Sequence, residues 1–230
     1  MLMIDTTRLH TSLVVIAIGA FAPMTLAGQD DPSAGEDRSP ALTHVHHVSV
    51  TFRGTPNNQG LLATALAETE IAVQHAGLAM RAPEDLDALK RHAGHVLHAL
   101  DPSEVENGPG LGYGAIRAAE RTAHYISLAA RSAGAIPPIE THSEHVAASA
   151  SNAASNGTAA VELLEEILEA EEADAAAELM GEVVDLVTAM QDGIDADGDG
   201  RVGWQEGEGG LAQASTHLGL LRRAAGLEGS

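Results

Sequence analysis

Residues 83–100 read PEDLDALKRHAGHVLHAL. Within them Leu86, Leu89, Ala93, Val96, Leu97 and Leu100 recur at steps of three and four, and Asp101 and Pro102 follow as a stop. Side chains three and four apart share one face of an α-helix, whereas a half-buried strand would alternate at every second residue. The stretch is therefore an amphipathic helix, opened by Pro83 and Glu84.

Working outward, the same texture fills most of the chain. Alanine and leucine dominate, aromatic residues make up only 2%, and the β-branched runs that favour strands are nearly absent. Thr55 followed by Pro56 predicts a capped helix running to about Arg81. A third helix is expected to run to Arg131 after the glycine-rich stretch from Gly108 to Gly114. That stretch lacks the Lys-Ser/Thr of a phosphate loop and reads as a turn. Pro137 and Pro138 precede a fourth helix, about 139–169, with an interruption expected near Asn156 and Gly157. A fifth is expected over about 172–194, and a last one from Trp204 or Gly210 to about Ala225. The expectation is an all-α antiparallel bundle of five or six helices. One segment reads differently: His44 to Phe52, rich in Val and Thr, is expected as a short strand or extended arm. No repeat of fixed period is evident, which speaks against a solenoid.

The N-terminus has the layout of a secretory signal peptide over 1–27. Arg8 precedes an apolar run from Leu13 to Ala22, and Thr25 and Ala27 supply small residues before a cut near Ala27. The run is shorter than the roughly 20 residues a membrane helix needs, so a periplasmic or secreted protein is expected. Residues 28–42 are acidic and polar, a linker unable to bury enough surface to order itself, and 43–230 form one domain. There are no cysteines, which excludes disulfides, thiolate catalysis and covalent haem. The formal net charge is −21, and no Lys or Arg lies between Arg131 and Arg201. Such a surface repels nucleic acid and anionic membranes and attracts cations.

Residues 195–206 read DADGDGRVGWQE and satisfy the pattern D-x-[DN]-x-[DN]-G-x5-E. The loop resembles that of the EF-hand family. That resemblance implies calcium held by the carboxylates of Asp195, Asp197 and Asp199, the Arg201 carbonyl and both Glu206 oxygens, with Gly200 making the turn and a water at Gly203. Calcium sensors pair two such loops, and no second one occurs here. The expected role is therefore a structural ion joining the last two helices. Outside the loop and its flanks, no family resemblance is evident.

The chain contains 12 histidines. Eight fall on expected helices: His75, His92, His95, His98, His124, His142, His145 and His217. Ligands inside a bundle must project from inward faces. By helical rotation His92, His142 and His217 border the apolar stripes of their helices and are expected to converge. His95 and His145 stand three residues from His92 and His142, a spacing suited to shared coordination. These five are the candidate ligands for zinc, copper, nickel or iron. A b-type haem ranks below a bare ion, because only Phe52, Tyr113, Tyr125 and Trp204 are available to wall a porphyrin.

Three functions follow in order: an exported, non-catalytic calcium-binding bundle; a histidine-ligated transition-metal protein braced by calcium; and a metal-dependent enzyme. No nucleophile elbow, HExxH or convincing triad supports the third.

Overall fold

Ser39 begins the ordered helices: its side chain accepts the Leu42 N–H, and Pro40 takes the first helical position. The structure is a computed structural model that describes residues 38–227; the expected signal peptide and most of the expected linker lie outside them. Seven α-helices follow: α1 Pro40–Ser49, α2 Leu61–Ala79, α3 Leu86–Leu100, α4 Ala115–Arg131, α5 Pro137–Glu169, α6 Ala173–Asp192 and α7 Leu211–Ala224. The chain is an all-helical bundle, and no strand occurs among the described residues. None of these helices is long and apolar enough to cross a membrane.

Two expectations are corrected at the start of the fold. Residues 44–49 of the segment expected as a strand or extended arm lie in helix α1, with Thr51 beyond it making one isolated antiparallel bridge to Gln59, and the expected linker ends before residue 42, because Ala41, Val45 and Val48 recur at helical steps and are fully buried. Burial of that stripe overrides the strand preference of its Val and Thr. Thr55 does not cap α2 either. Its hydroxyl donates to the carbonyls of Phe52 and Gln59, tying off a short 3-10 turn, Pro56–Asn58, and α2 starts only after Gly60.

The long helix α5 is the spine, packed on α3, α4, α6 and α7, while α2 packs on α3, α4 and α6. It runs through Gly157 without a break, against the expected interruption. Glycine in a helix interior costs about 1 kcal/mol relative to alanine. A Cβ there, however, would stand 2.8 Å from Ile116 Cγ1 of α4 and 3.3 Å from Met190 Sδ of α6. The close approach of three helices keeps the glycine, and their packing keeps the helix. Leu89, Leu97, Ile126, Ile139, Leu164, Ile167, Met180 and Leu221 fill the core around it.

Glu68 on α2 is fully buried. Its carboxylate accepts the backbone N–H groups of Leu111, Tyr113 and Gly114 at 2.8, 2.9 and 3.0 Å. His98 adds a fourth tie, accepting the Gly110 N–H through Nδ1 at 3.2 Å. The glycine-rich stretch is thus sewn to α2 and α3. An added Cβ at Gly108 or Gly110 would lie within 3.0 Å of His98 or Glu68 atoms, which explains the small residues.

Candidate metal centres

The turn after α2 folds α3 back along it, so positions at similar distances from the turn meet. His75 of α2 thereby faces His92 and His95 of α3, its Nδ1 lying 3.1 Å from His92 Nδ1 and 3.2 Å from His95 Nδ1. At another corner, His217 of α7 faces His142 and His145 of α5, with Nδ1 separations of 3.4 and 3.2 Å. All six imidazoles are half-buried, and in each group the three ligand atoms lie within 4.8 Å of one another.

The two corners are built alike, ring for ring. His75 and His92 have centroids 5.4 Å apart and planes at 32°, and His217 and His142 stand at 5.6 Å and 34°. His75 and His95 stand at 4.7 Å and 78°; His217 and His145 at 4.5 Å and 78°. Within the helical pairs, His92–His95 and His142–His145 stand at 5.6 Å and 84° against 5.8 Å and 82°.

Hydrogen bonding alone satisfies neither corner. A neutral imidazole nitrogen is either a donor or an acceptor with a single in-plane lone pair. His75 Nδ1 touches two other Nδ1 atoms, and so does His217 Nδ1. Each can donate to only one neighbour, or must accept twice on one lone pair. Three converging lone pairs suit a cation. Nitrogens about 2.0–2.1 Å from a tetrahedral ion stand about 3.3 Å apart, which matches the spacing of the lone histidine's Nδ1 from both members of the pair in each corner.

The protonation state agrees with ligation. Burial first, then neighbouring charged or imidazole groups, lowers the pKa of His75, His92, His95 and His217 below the usual value. His145 is lowered by burial and by His142, with Glu144 acting the other way. Deprotonated imidazole is the form that binds metal.

Sequence reasoning placed His92, His142 and His217 at one point, and the structure corrects this. His92 belongs to one corner, while His142 and His217 belong to the other with His145. His75 is not among the candidate ligands; its place near the end of α2, across the turn from the first half of α3, is the available signal.

The acidic loop stands beside the second corner. Asp195 accepts the N–H groups of Gly198, Asp199 and Gly200, and Asp197 accepts that of Asp199. Asp199 turns its Oδ1 to the Arg201 N–H, and Arg201 is exposed. Gly200 takes φ +85°, a left-handed conformation that favours glycine. The third carboxylate gathered with Asp195 and Asp197 is that of Glu208, not Glu206. The reason lies in the backbone. The Ile194 N–H donates to the Glu208 carbonyl at 2.9 Å, which draws Glu208 beside the head of the loop, and the Glu208 carboxylate accepts the Gly203 N–H. Glu206 sits exposed on the turn that Gln205 closes to Glu208 and Gly209.

Two contacts fasten this loop to α5. Asn152 donates to the Gln205 carbonyl at 2.7 Å and accepts the Gly207 N–H at 3.1 Å. Trp204 stacks on the ligand-type ring of His145, with centroids 3.9 Å apart and planes at 21°. Of the two starts expected for the exit helix, Trp204 and Gly210, the second holds: Gly210 is the N-cap and the helix begins at Leu211.

No family model matches the chain, and no curated protein or solved structure is similar enough to count as a match.

Proposed function

We propose that this chain is an exported metal-ion-binding helical protein. It holds divalent transition-metal ions at two tri-histidine corners and calcium at the acidic loop as a structural brace. The observation that carries the reading is the duplicated geometry: two sets of three imidazoles, on different helices, reproduce the same separations and ring angles to within a few tenths of an ångström and a few degrees.

Imidazole donors suit zinc, copper, nickel and iron, and zinc and copper stand highest in affinity for nitrogen sites. Haem fits poorly: axial nitrogens on opposite sides of an iron stand about two bond lengths apart, ~4 Å, wider than the separations here. The strong negative charge supports cation capture at both kinds of site. With no nucleophile or general base identified beside either corner, binding, buffering or delivery of the ion is the function, and calcium joins α6, the loop and α5.

The test is elemental analysis of the full chain, stripped of metal, incubated with zinc in the presence of calcium and dialysed. His92→Gln/His95→Gln is expected to remove one zinc per chain, and His142→Gln/His145→Gln another. Retention of the wild-type zinc content by both variants would overturn the reading. For calcium, Asp195→Asn/Glu208→Gln is expected to abolish uptake in calorimetry, while Glu206→Gln weakens it less.

A further inference from the structure

Both corners share one recipe, a pair of histidines three residues apart on one helix and a lone histidine on a helix packed against it. The paired element recurs at His44 and His47. His44 and His47 lie on α1, which packs on α4, and α4 carries His124. We propose that His44, His47 and His124 form a third site for the same class of divalent transition-metal ion, between α1 and α4.

Two observations bear on this. First, the Nδ1 atoms of His44 and His47 are buried and have no hydrogen-bond partner. Buried polar atoms are nearly always satisfied, and an orphaned pair calls for a water or an ion. At the other two corners the converging atoms are likewise Nδ1.

Second, the rings of His44 and His47 stand 6.1 Å apart at 70°, a slightly more open form of the 5.6 Å and 5.8 Å pairs. The place of the lone imidazole is taken by the ring of Tyr125. It lies 5.8 Å and 44° from His44 and 5.4 Å and 89° from His47, against 5.4 Å and 32°, and 4.7 Å and 78°, at the α2–α3 corner. His124 is the next residue back on α4 and is exposed. Its ring meets that of Tyr125 edge-on at 5.3 Å. Closing the site requires these two exposed or half-exposed side chains to rotate about their own bonds, so that the imidazole replaces the phenol ring.

Phe52, 5.1 Å from Tyr125 and 5.5 Å from His47, walls the side toward the α1–α2 connection.

The inference borrows its ligand class from the proposed function, so the experiment separates the two. Full-length protein labelled with 15N-histidine is titrated with zinc in saturating calcium. Bound zinc is counted by elemental analysis, and the imidazole nitrogens are followed by long-range 1H–15N spectra. The expected result is a loss of one zinc in His44→Gln/His47→Gln, with the His44 and His47 nitrogen signals shifting on metal addition to wild type. The quadruple variant His92→Gln/His95→Gln/His142→Gln/His145→Gln should keep one zinc, released when His44→Gln/His47→Gln is added.

Unchanged zinc content in His44→Gln/His47→Gln, with unmoved signals in wild type, overturns the third site and leaves the tri-histidine corners standing. Wild-type zinc content in the quadruple variant overturns the corners, and the α1 pair is then judged by its own signals alone. Should His44→Gln/His47→Gln fail to fold, the exposed His124→Gln takes its place. A tenfold or greater weakening of one zinc is expected there, and no weakening defeats the proposal.

Discussion

The α2–α3 corner and the α5–α7 corner hold the same three rings at the same angles, yet they are embedded differently. The first is a plain helical hairpin with Arg91 beside its pair of histidines. The second has Trp204 laid flat on His145, and behind Trp204 an acidic loop clamped to α5 by Asn152. One corner is a free-standing histidine cluster; the other is tied to a second candidate metal group, the acidic loop. What differs is therefore not the chemistry of the donors but what else feels them being occupied.

The largest expected consequence is optical. Trp204 is the chain's one tryptophan, and a copper ion on His145 would sit next to its ring. Copper titration of the wild type should quench most of its fluorescence. His142→Gln/His145→Gln should abolish the high-affinity phase, and His92→Gln/His95→Gln should leave it intact. Equal quenching in both variants would break the comparison.

A smaller effect sharpens it. If calcium occupies the loop as proposed, it should also fix Trp204 against His145, and coupling free energies between sites are typically 1–3 kcal/mol. Asp195→Asn/Glu208→Gln should therefore weaken metal binding at the α5–α7 corner by about fivefold or more, while affinity at the α2–α3 corner stays within twofold. Site-resolved imidazole spectra read both. Coupling is reciprocal, so zinc at the second corner should tighten calcium by the same factor.

The smallest effect is common to both corners. The lowered pKa values of His75, His92, His95, His145 and His217 mean that the unfolded chain takes up protons before the folded one as pH falls below about 6.5. The neutral histidines therefore contribute stability that is fully present above that pH and is lost progressively in acid. Thermal midpoints of the metal-free protein should be flat between neutral and mildly alkaline pH and should drop below pH 6.5. The drop should be shallower when His75, His92 and His95 are all replaced by Gln. Bound metal should be released over the same acid range, because protons compete for the ligand nitrogens.

Much of the bundle was legible in advance because its core is written in three- and four-residue steps of Leu and Ala. The element that misled was α1, where Val45, Val48 and Val50 suggest a strand while Ala41, Val45 and Val48 carry the helical step that burial selects. Gly157 likewise reads as a break by propensity alone; only the approach of Ile116 and Met190 explains its place. The histidine pairs could be read from spacing on a single helix, and the apolar stripes brought His217 to His142, but His75 escaped: it joins through tertiary packing, which no local pattern encodes. In the acidic loop, the pattern singled out Glu206, whereas a backbone bond from Ile194 to Glu208 determines which carboxylate arrives.

The buried carboxylate of Glu68 also has a consequence in time. The amides of Leu111, Tyr113 and Gly114 lie in a surface connection that local composition would mark as fast to exchange with solvent, but each is held by a side chain anchored in the middle of α2. Their release requires opening of α2 from its neighbours, not loosening of the loop. In deuterium exchange these three amides should persist with the core of α2, while Asn107 and Gly112 exchange early, so that a slow-exchanging seam crosses a stretch that contains no helix at all.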